Sequence, residues 1–393
     1  MKHDEQEKIP LGIYIHIPFC IRKCAYCDFL SGPAQAEEQE AYVEALENEI
    51  RAGGGQAEGC LVRTVFFGGG TPSVLAGEQI VRLMAAVKSA FCVDKAAEIS
   101  LEANPGTVTE EKLACWKEAG VNRLSFGLQS ADDRELAMLG RIHTWEEFLD
   151  SWRLAEKAGF RNRNVDLMSA LPGQTVRSWE KTLEKVTALE PEHLSAYSLI
   201  IEEGTPFYDR FGRENSPDRG TLPDEEAERE MYHLTKNFLE RQGYLRYEIS
   251  NYARPGFQCR HNRSYWEGIW YLGFGVGAAS YIKEGTELVR RGNIADRGEY
   301  IRRIRSGNPV TGERTVVTLE NQMEEFMFLG LRMDGGISFG QFFRRFGRPF
   351  GEVYGEITEQ LKAQGLLRDT AEGVCLTELG TDVSNYVFQY YLL

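Results

Sequence analysis

Three cysteines, Cys20, Cys24 and Cys27, lie within eight residues, separated by three and then two others. They follow the β-type run GIYIHIPF at 12–19, so they occupy the loop leaving a strand. Soft thiolates at short spacing select zinc or an iron–sulfur cluster. A structural zinc site wants four closed ligands, usually with a second pair elsewhere. Cys60, Cys92, Cys115, Cys259 and Cys375 each stand alone on separate segments. A cubane takes one ligand per iron, so three thiolates leave one iron open to a small molecule.

This spacing, with Tyr26 just before Cys27, resembles the signature of the radical SAM superfamily. There the open iron of a 4Fe–4S cluster chelates the amino and carboxylate groups of S-adenosylmethionine (SAM). The run Gly68-Gly69-Gly70-Thr71-Pro72 follows the second β run. Taken alone it is a tight βα turn, although glycine also lets backbone amides approach a ligand without Cβ interference. Beside the cysteines it resembles the superfamily's GGxP motif, which implies a SAM contact at Gly69, Gly70 and Thr71. Glu102, Gln129, Arg141 and Asp166 would each be ordinary alone. Together they match what SAM requires: a carboxylate for its ammonium, an Arg fork for its carboxylate, an Asp for its ribose hydroxyls. Tyr14, on the first strand, is either a further contact or a barrel-interior aromatic.

The elements that must position these residues read as a strand–helix alternation. Short β runs at 12–19, 62–67, 97–103, 122–129, 163–170 and 193–199 are separated by helical stretches near 37–52, 76–91, 109–119, 144–158 and 176–189. Such alternation predicts an α/β fold with a parallel sheet. Six units fall short of the eight-stranded closed form, which points to a partial (β/α) barrel, with an open doubly wound sheet as the rival. The chemistry-bearing residues fall at or near the C-terminal ends of successive strands, the face on which βα barrels build their sites.

Beyond a polar linker after Tyr208 comes a helix near 223–242, then a segment at 251–281 dense in aromatics and glycines. The last ~75 residues read as a mostly helical, winged-helix-like domain. The expected division is therefore 1–250, a SAM barrel; 251–300, an aromatic and glycine-rich segment; and 301–393, the C-terminal domain. From Thr318 to Leu393 there are six Lys/Arg against eleven Asp/Glu, 6 − 11 = −5, and the whole chain carries −14. That balance argues against nucleic acid as a partner. The charged N-terminus lacks an apolar h-region and the cysteines form no disulfide framework, so a reducing cytoplasm is the expected location.

The runs IHIPFC-x3-C-x-Y-C, GGGTP, E-x-N-P, SFGLQS, LGR-x-H and VDLM-x-x-LPGQT resemble one branch of the superfamily across nearly the whole chain. That branch holds the oxygen-independent coproporphyrinogen III dehydrogenases and their relatives. Those dehydrogenases carry a further cysteine two residues beyond the third, where this chain has Phe29. The chain also carries His261-Asn262-Arg263-Ser264-Tyr265-Trp266, which resembles the HNxxYW motif of the HemW group of haem chaperones. The resemblance implies haem as cargo, acceptor haemoproteins (membrane-bound respiratory enzymes included) as partners, and a homodimer as an available state. It implies no coproporphyrinogen oxidation; the alternative is oxidative decarboxylation through SAM cleavage. His261 is the implied iron contact, with Cys259 as a thiolate alternative. Tyr265, Trp266, Trp270, Tyr271 and Phe274 would flank a macrocycle, and Gly268, Gly273, Gly275 and Gly277 would admit it closely. Without the resemblance, the same segment reads as an aromatic loop packed over the barrel mouth.

Overall fold

The computed structural model describes residues 8–216 and 218–393; the charged N-terminal stretch 1–7 lies outside them. All six expected β runs are strands: β1 (Ile9–Ile17), β2 (Cys60–Gly69), β3 (Val93–Ala103), β4 (Arg123–Gln129), β5 (Arg163–Ser169) and β6 (His193–Ser198). They pair in parallel in sequence order. Their apolar residues face the helices and the strand interior alike, so Ile13, Ile15, Ile17, Val65, Phe67, Leu101 and Phe126 are wholly buried or nearly so. Helices at Ala36–Ala52, Gly77–Ala90, Glu110–Ala119, Trp145–Lys157 and Val176–Thr187 cover the sheet. Three of these start on a threonine whose hydroxyl accepts a first-turn amide: Thr109, Thr144 and Thr175.

The sheet does not stop at six strands. The edge beyond β6 gains β7 (Leu245–Glu248) and β8 (Asn251–Ala253), antiparallel to it. The edge beyond β1 gains β9 (Trp270–Phe274), which runs parallel to β1, followed by antiparallel β10 (Ala279–Glu284), β11 (Glu287–Asn293) and β12 (Thr311–Val316). The twelve strands form one sheet whose ends do not pair, an open partial barrel.

The segment 251–281, whose sequence reads as neither a clear helix nor a clear strand, is thus β8, the helix Arg260–Trp266, β9 and β10. The reason is tertiary. The Glu98 side chain, on β3, accepts the backbone N–H groups of Arg260 and His261 at 3.0 and 3.1 Å and so caps this short helix. No local signal announces a cap supplied from 162 residues away.

The sheet continues to Val316, past the expected boundary at 300, and a separate apolar core begins at Met323 and runs to Tyr391. That C-terminal unit packs helices Leu319–Arg332, Phe339–Phe346 and Phe350–Ala363 against a small sheet formed by Ile337–Ser338, Leu367–Asp369 and Gly373–Leu376. The last two strands pair antiparallel as a hairpin. Among the described residues no helix is long and apolar enough to cross a membrane.

Candidate active site

Cys20, Cys24 and Cys27 lie on the loop after β1, all half-buried and all free thiols. Cys20 Sγ is 3.3 Å from Thr71 Oγ1, and Arg141 Nη1 donates to Cys24 Sγ at 3.5 Å. Two of the three thiols therefore face residues expected to hold SAM. Burial raises the Cys27 thiol above its usual range. Among the described residues no three Cys, His, Asp or Glu side chains converge on a single metal ion. A cubane makes a different demand, one thiolate per iron across a cluster, and the donor set of three thiols on one loop fits it.

The Gly-rich run ends β2, and its glycines answer to the chain's own crowding. Gly69 adopts φ +112°, and a Cβ there would fall about 2.5 Å from the His16 ring. A Cβ at Gly70 would meet the Phe19 carbonyl at 2.7 Å. Glycine is thus required here before any ligand is considered. The Gly69 amide donates to Glu102 Oε2 at 3.1 Å, which ties the ends of β2 and β3 together.

Around Thr71 and Arg141 the side chains form a brace. Asn104 Nδ2 donates to Thr71 Oγ1 at 3.0 Å, and Arg141 Nη2 donates to Asn104 Oδ1 at 2.8 Å and to the Gly127 carbonyl. Arg141 Nε is buried without a partner among the described residues. Cys24, Thr71, Asn104 and Arg141 line one crevice. A buried, unpartnered guanidinium N–H beside the thiol loop suits a carboxylate ligand.

Deeper in the barrel, Tyr14, Glu102, Asp166 and His261 line a second cavity of about 240 Å³. Burial, reinforced by the neighbouring Asp166, pushes the Glu102 carboxyl up to about 8. Asp166 is also raised by burial, against hydrogen bonds from Ser195, Asn164 and Ser125. The Tyr14 hydroxyl donates to His16 Nδ1 at 3.0 Å, because His16 Nε2 donates to the Leu30 carbonyl. Gln129 faces neither cavity. It sits at φ +75°, uncommon for a side-chain-bearing residue, beside a bulge in the β4–β5 register, and accepts the Tyr197 hydroxyl at 2.8 Å.

His261 is 1% exposed and both ring nitrogens are engaged. Nδ1 pairs with Thr64 Oγ1 at 2.8 Å and Nε2 with the Tyr265 hydroxyl at 2.9 Å, while the ring stacks on Phe66 at 5.0 Å. Burial and the nearby Arg123 lower its pKa to about 3, so the imidazole is neutral. Cys259 is fully buried, with its thiol pushed up to about 12, which disfavours the thiolate considered as an alternative haem ligand. Of the five aromatics, Tyr265, Trp266 and Tyr271 line an open cavity, whereas Phe274 packs on Phe91 and Trp270 on the sheet core. The four glycines serve the fold: Gly273 lies against the Ala279 carbonyl, Gly275 against Tyr42 and His16, Gly277 beside Leu30, and Gly268 under the Arg345 guanidinium.

Sequence reasoning passed over His16, Asn104 and Arg123. His16 shares the face of Tyr14 two residues earlier, a period-2 signal that was readable. Asn104 lies in the E-x-N-P run. Arg123 is 2% exposed in the barrel interior and Nε has no partner, although Glu98 and Asp166 offset its charge through space. Nothing local marks an arginine at a strand start as buried.

A parallel partial barrel with this cysteine loop and brace defines a radical SAM protein, and the radical SAM superfamily profile matches residues 14–186. The HemN C-terminal domain profile matches residues 317–383. The chain belongs to the HemW family: it is 39% identical over 383 residues to the heme chaperone HemW of Bacillus subtilis, covering 96% of this chain and 98% of that one. The Escherichia coli heme chaperone HemW is 37% identical over 319 residues, covering 81% of this chain and 82% of that one. The coproporphyrinogen III oxidase HemN from Escherichia coli superposes with TM-score 0.83 over 98% of this chain and 90% of that one, at 24% identity, a likeness of fold.

Proposed function

We propose that this protein is a haem chaperone, binding haem and passing it to acceptor haemoproteins from a radical SAM scaffold. The observation that carries the reading is the HNxxYW helix. Its His261 faces the barrel interior and its Trp266 a cavity toward the C-terminal domain, with Tyr265 lining both. Cys20, Cys24 and Cys27 would hold a 4Fe–4S cluster, and Gly69, Gly70, Thr71, Glu102, Gln129, Arg141, Asp166 and Tyr14 would serve SAM. When bound, this pair supplies one-electron chemistry at the barrel mouth. The chain's own contribution is placement. Arg141 orients a carboxylate and holds Cys24, Glu102 offers an acceptor to an amino N–H, and Asp166 meets ribose hydroxyls. His261 would reach haem iron only when Nε2 gives up Tyr265. Phe29 is 62% exposed at the position where the dehydrogenases carry cysteine, so no fourth thiol stands on this loop.

The test is anaerobic protein given haem and, separately, coproporphyrinogen III with SAM and a reductant. Haem uptake, followed by transfer to an apo-haemoprotein without release of carbon dioxide from the porphyrinogen, is the expected result. Porphyrinogen turnover would overturn the reading in favour of the decarboxylase. The reconstituted protein should carry about four irons per chain, and Cys24→Ala should lose them.

A further inference from the structure

Two cavities touch the HNxxYW helix, and they differ in kind. The barrel interior offers about 240 Å³ lined by Glu102 and Asp166. That is small for a macrocycle, below the ~300 Å³ at which drug-sized pockets begin, and Arg123 lines it together with the two carboxyl groups. Between the sheet and the C-terminal domain lies a second cavity of about 850 Å³, near the top of the ~300–1,000 Å³ range. One wall comes from Tyr265, Trp266 and Tyr271, the other from Phe326 and Arg345 of the C-terminal domain.

Three arginines and three glutamates, Arg263, Arg290, Arg345, Glu267, Glu325 and Glu372, line this second cavity, and they are not all paired. Arg290 donates to Glu325 at 2.9 Å and Arg263 pairs with Glu267 at 2.5 Å. Arg345 makes no ion pair among the described residues, and its guanidinium lies over Gly268, where a Cβ would come within 2.6 Å of Nη1. Trp266 Nε1 is buried with no hydrogen-bond partner among the described residues. Aromatic walls, an unpaired guanidinium and this volume together suit a broad planar ligand with carboxylates on one edge.

We propose that this interdomain cavity, rather than the barrel interior, seats the haem. The aromatic walls flank the macrocycle and Arg345 takes a propionate. The inference rests on the haem-chaperone reading and gives the C-terminal domain a direct part in holding cargo. Tyr265 separates the cavity from His261, so an iron contact by His261 runs through the place its ring now fills.

The test uses the full-length, cluster-reconstituted protein and two probes, haem and haem dimethyl ester, with binding read from the Soret band. The unaltered protein should bind haem at least tenfold more tightly than the ester. Arg345→Glu, at an exposed side chain, should erase that preference by weakening haem alone, with iron content unchanged. Leu329→Trp, which fills the cavity from the C-terminal side, should weaken both probes. If the unaltered protein binds haem while both variants bind it equally well, the cavity is not the seat and the chaperone reading survives. If the unaltered protein binds no haem, that reading falls and this inference with it. Should Leu329→Trp fail to fold, Arg345→Glu and the ester comparison decide the matter unaided.

Discussion

Arg141 does two things with one side chain: it fastens Asn104 and the Gly127 carbonyl, and it reaches Cys24. Removing it should weaken SAM by about 1.5–3 kcal/mol, the scale of a charge-assisted hydrogen bond, or roughly ten- to hundredfold in affinity. Calorimetry on Arg141→Ala with the cluster intact checks this, and unchanged affinity would remove Arg141 from the site. Glu102 gives a second residue-scale expectation. With a pKa of about 8 it is mostly protonated at neutral pH. The sulfonium charge of SAM favours the anion, so binding should draw a proton off Glu102, and affinity should rise as pH climbs toward 8 and then level off. At pH 7 the heats in two buffers of different ionisation enthalpy should differ more for the unaltered protein than for Glu102→Gln; an equal difference would mean that Glu102 gives up no proton to SAM.

The elements that local patterning could announce are the ones the sequence announced. β1 to β6 carry short β-forming runs and three of their helices start on a threonine cap, so their bounds follow within a few residues. The cysteine loop and the Gly-Gly-Thr turn were legible because their chemistry needs fixed spacing. β7 to β12 and the helix Arg260–Trp266 were not, because their stability comes from partners far along the chain. Glu98 is the clearest of these partners, capping that helix and offsetting the buried Arg123. Glu98→Ala should therefore destabilise the protein by about 3–5 kcal/mol, as for breaking a buried charge pair, measured by urea denaturation. Haem uptake should fall with it while iron content holds. A loss under ~0.5 kcal/mol, the range of an ordinary surface change, would show that neither the cap nor the charge matters.

At the scale of the whole molecule, the C-terminal domain is tied to the sheet by charge. Glu248 on β7 is fully buried and accepts from Arg332 Nε at 2.7 Å, and Arg246 pairs with Asp334 at 3.0 Å. Lys236–Glu378 and Arg290–Glu325 add more exposed pairs, which contribute little each. Arg332 is the keystone of the set, since its guanidinium also stacks over Trp266 at 4.4 Å and so joins the domain to the HNxxYW helix. Arg332→Ala strands Glu248 without a counter-charge. Ser250 N and Asn251 Nδ2 still donate to it, which places the cost near the low end of the buried-pair range, about 3 kcal/mol. Because that cost falls on the junction and not on either core, the C-terminal domain should loosen before the barrel does. Hydrogen exchange should then rise across residues 319–393 while β1 to β6 keep their protection, and haem uptake should drop with SAM affinity unchanged. Protection lost equally in both units would mean that the two fold as one body and that the pair at Glu248 is not what joins them.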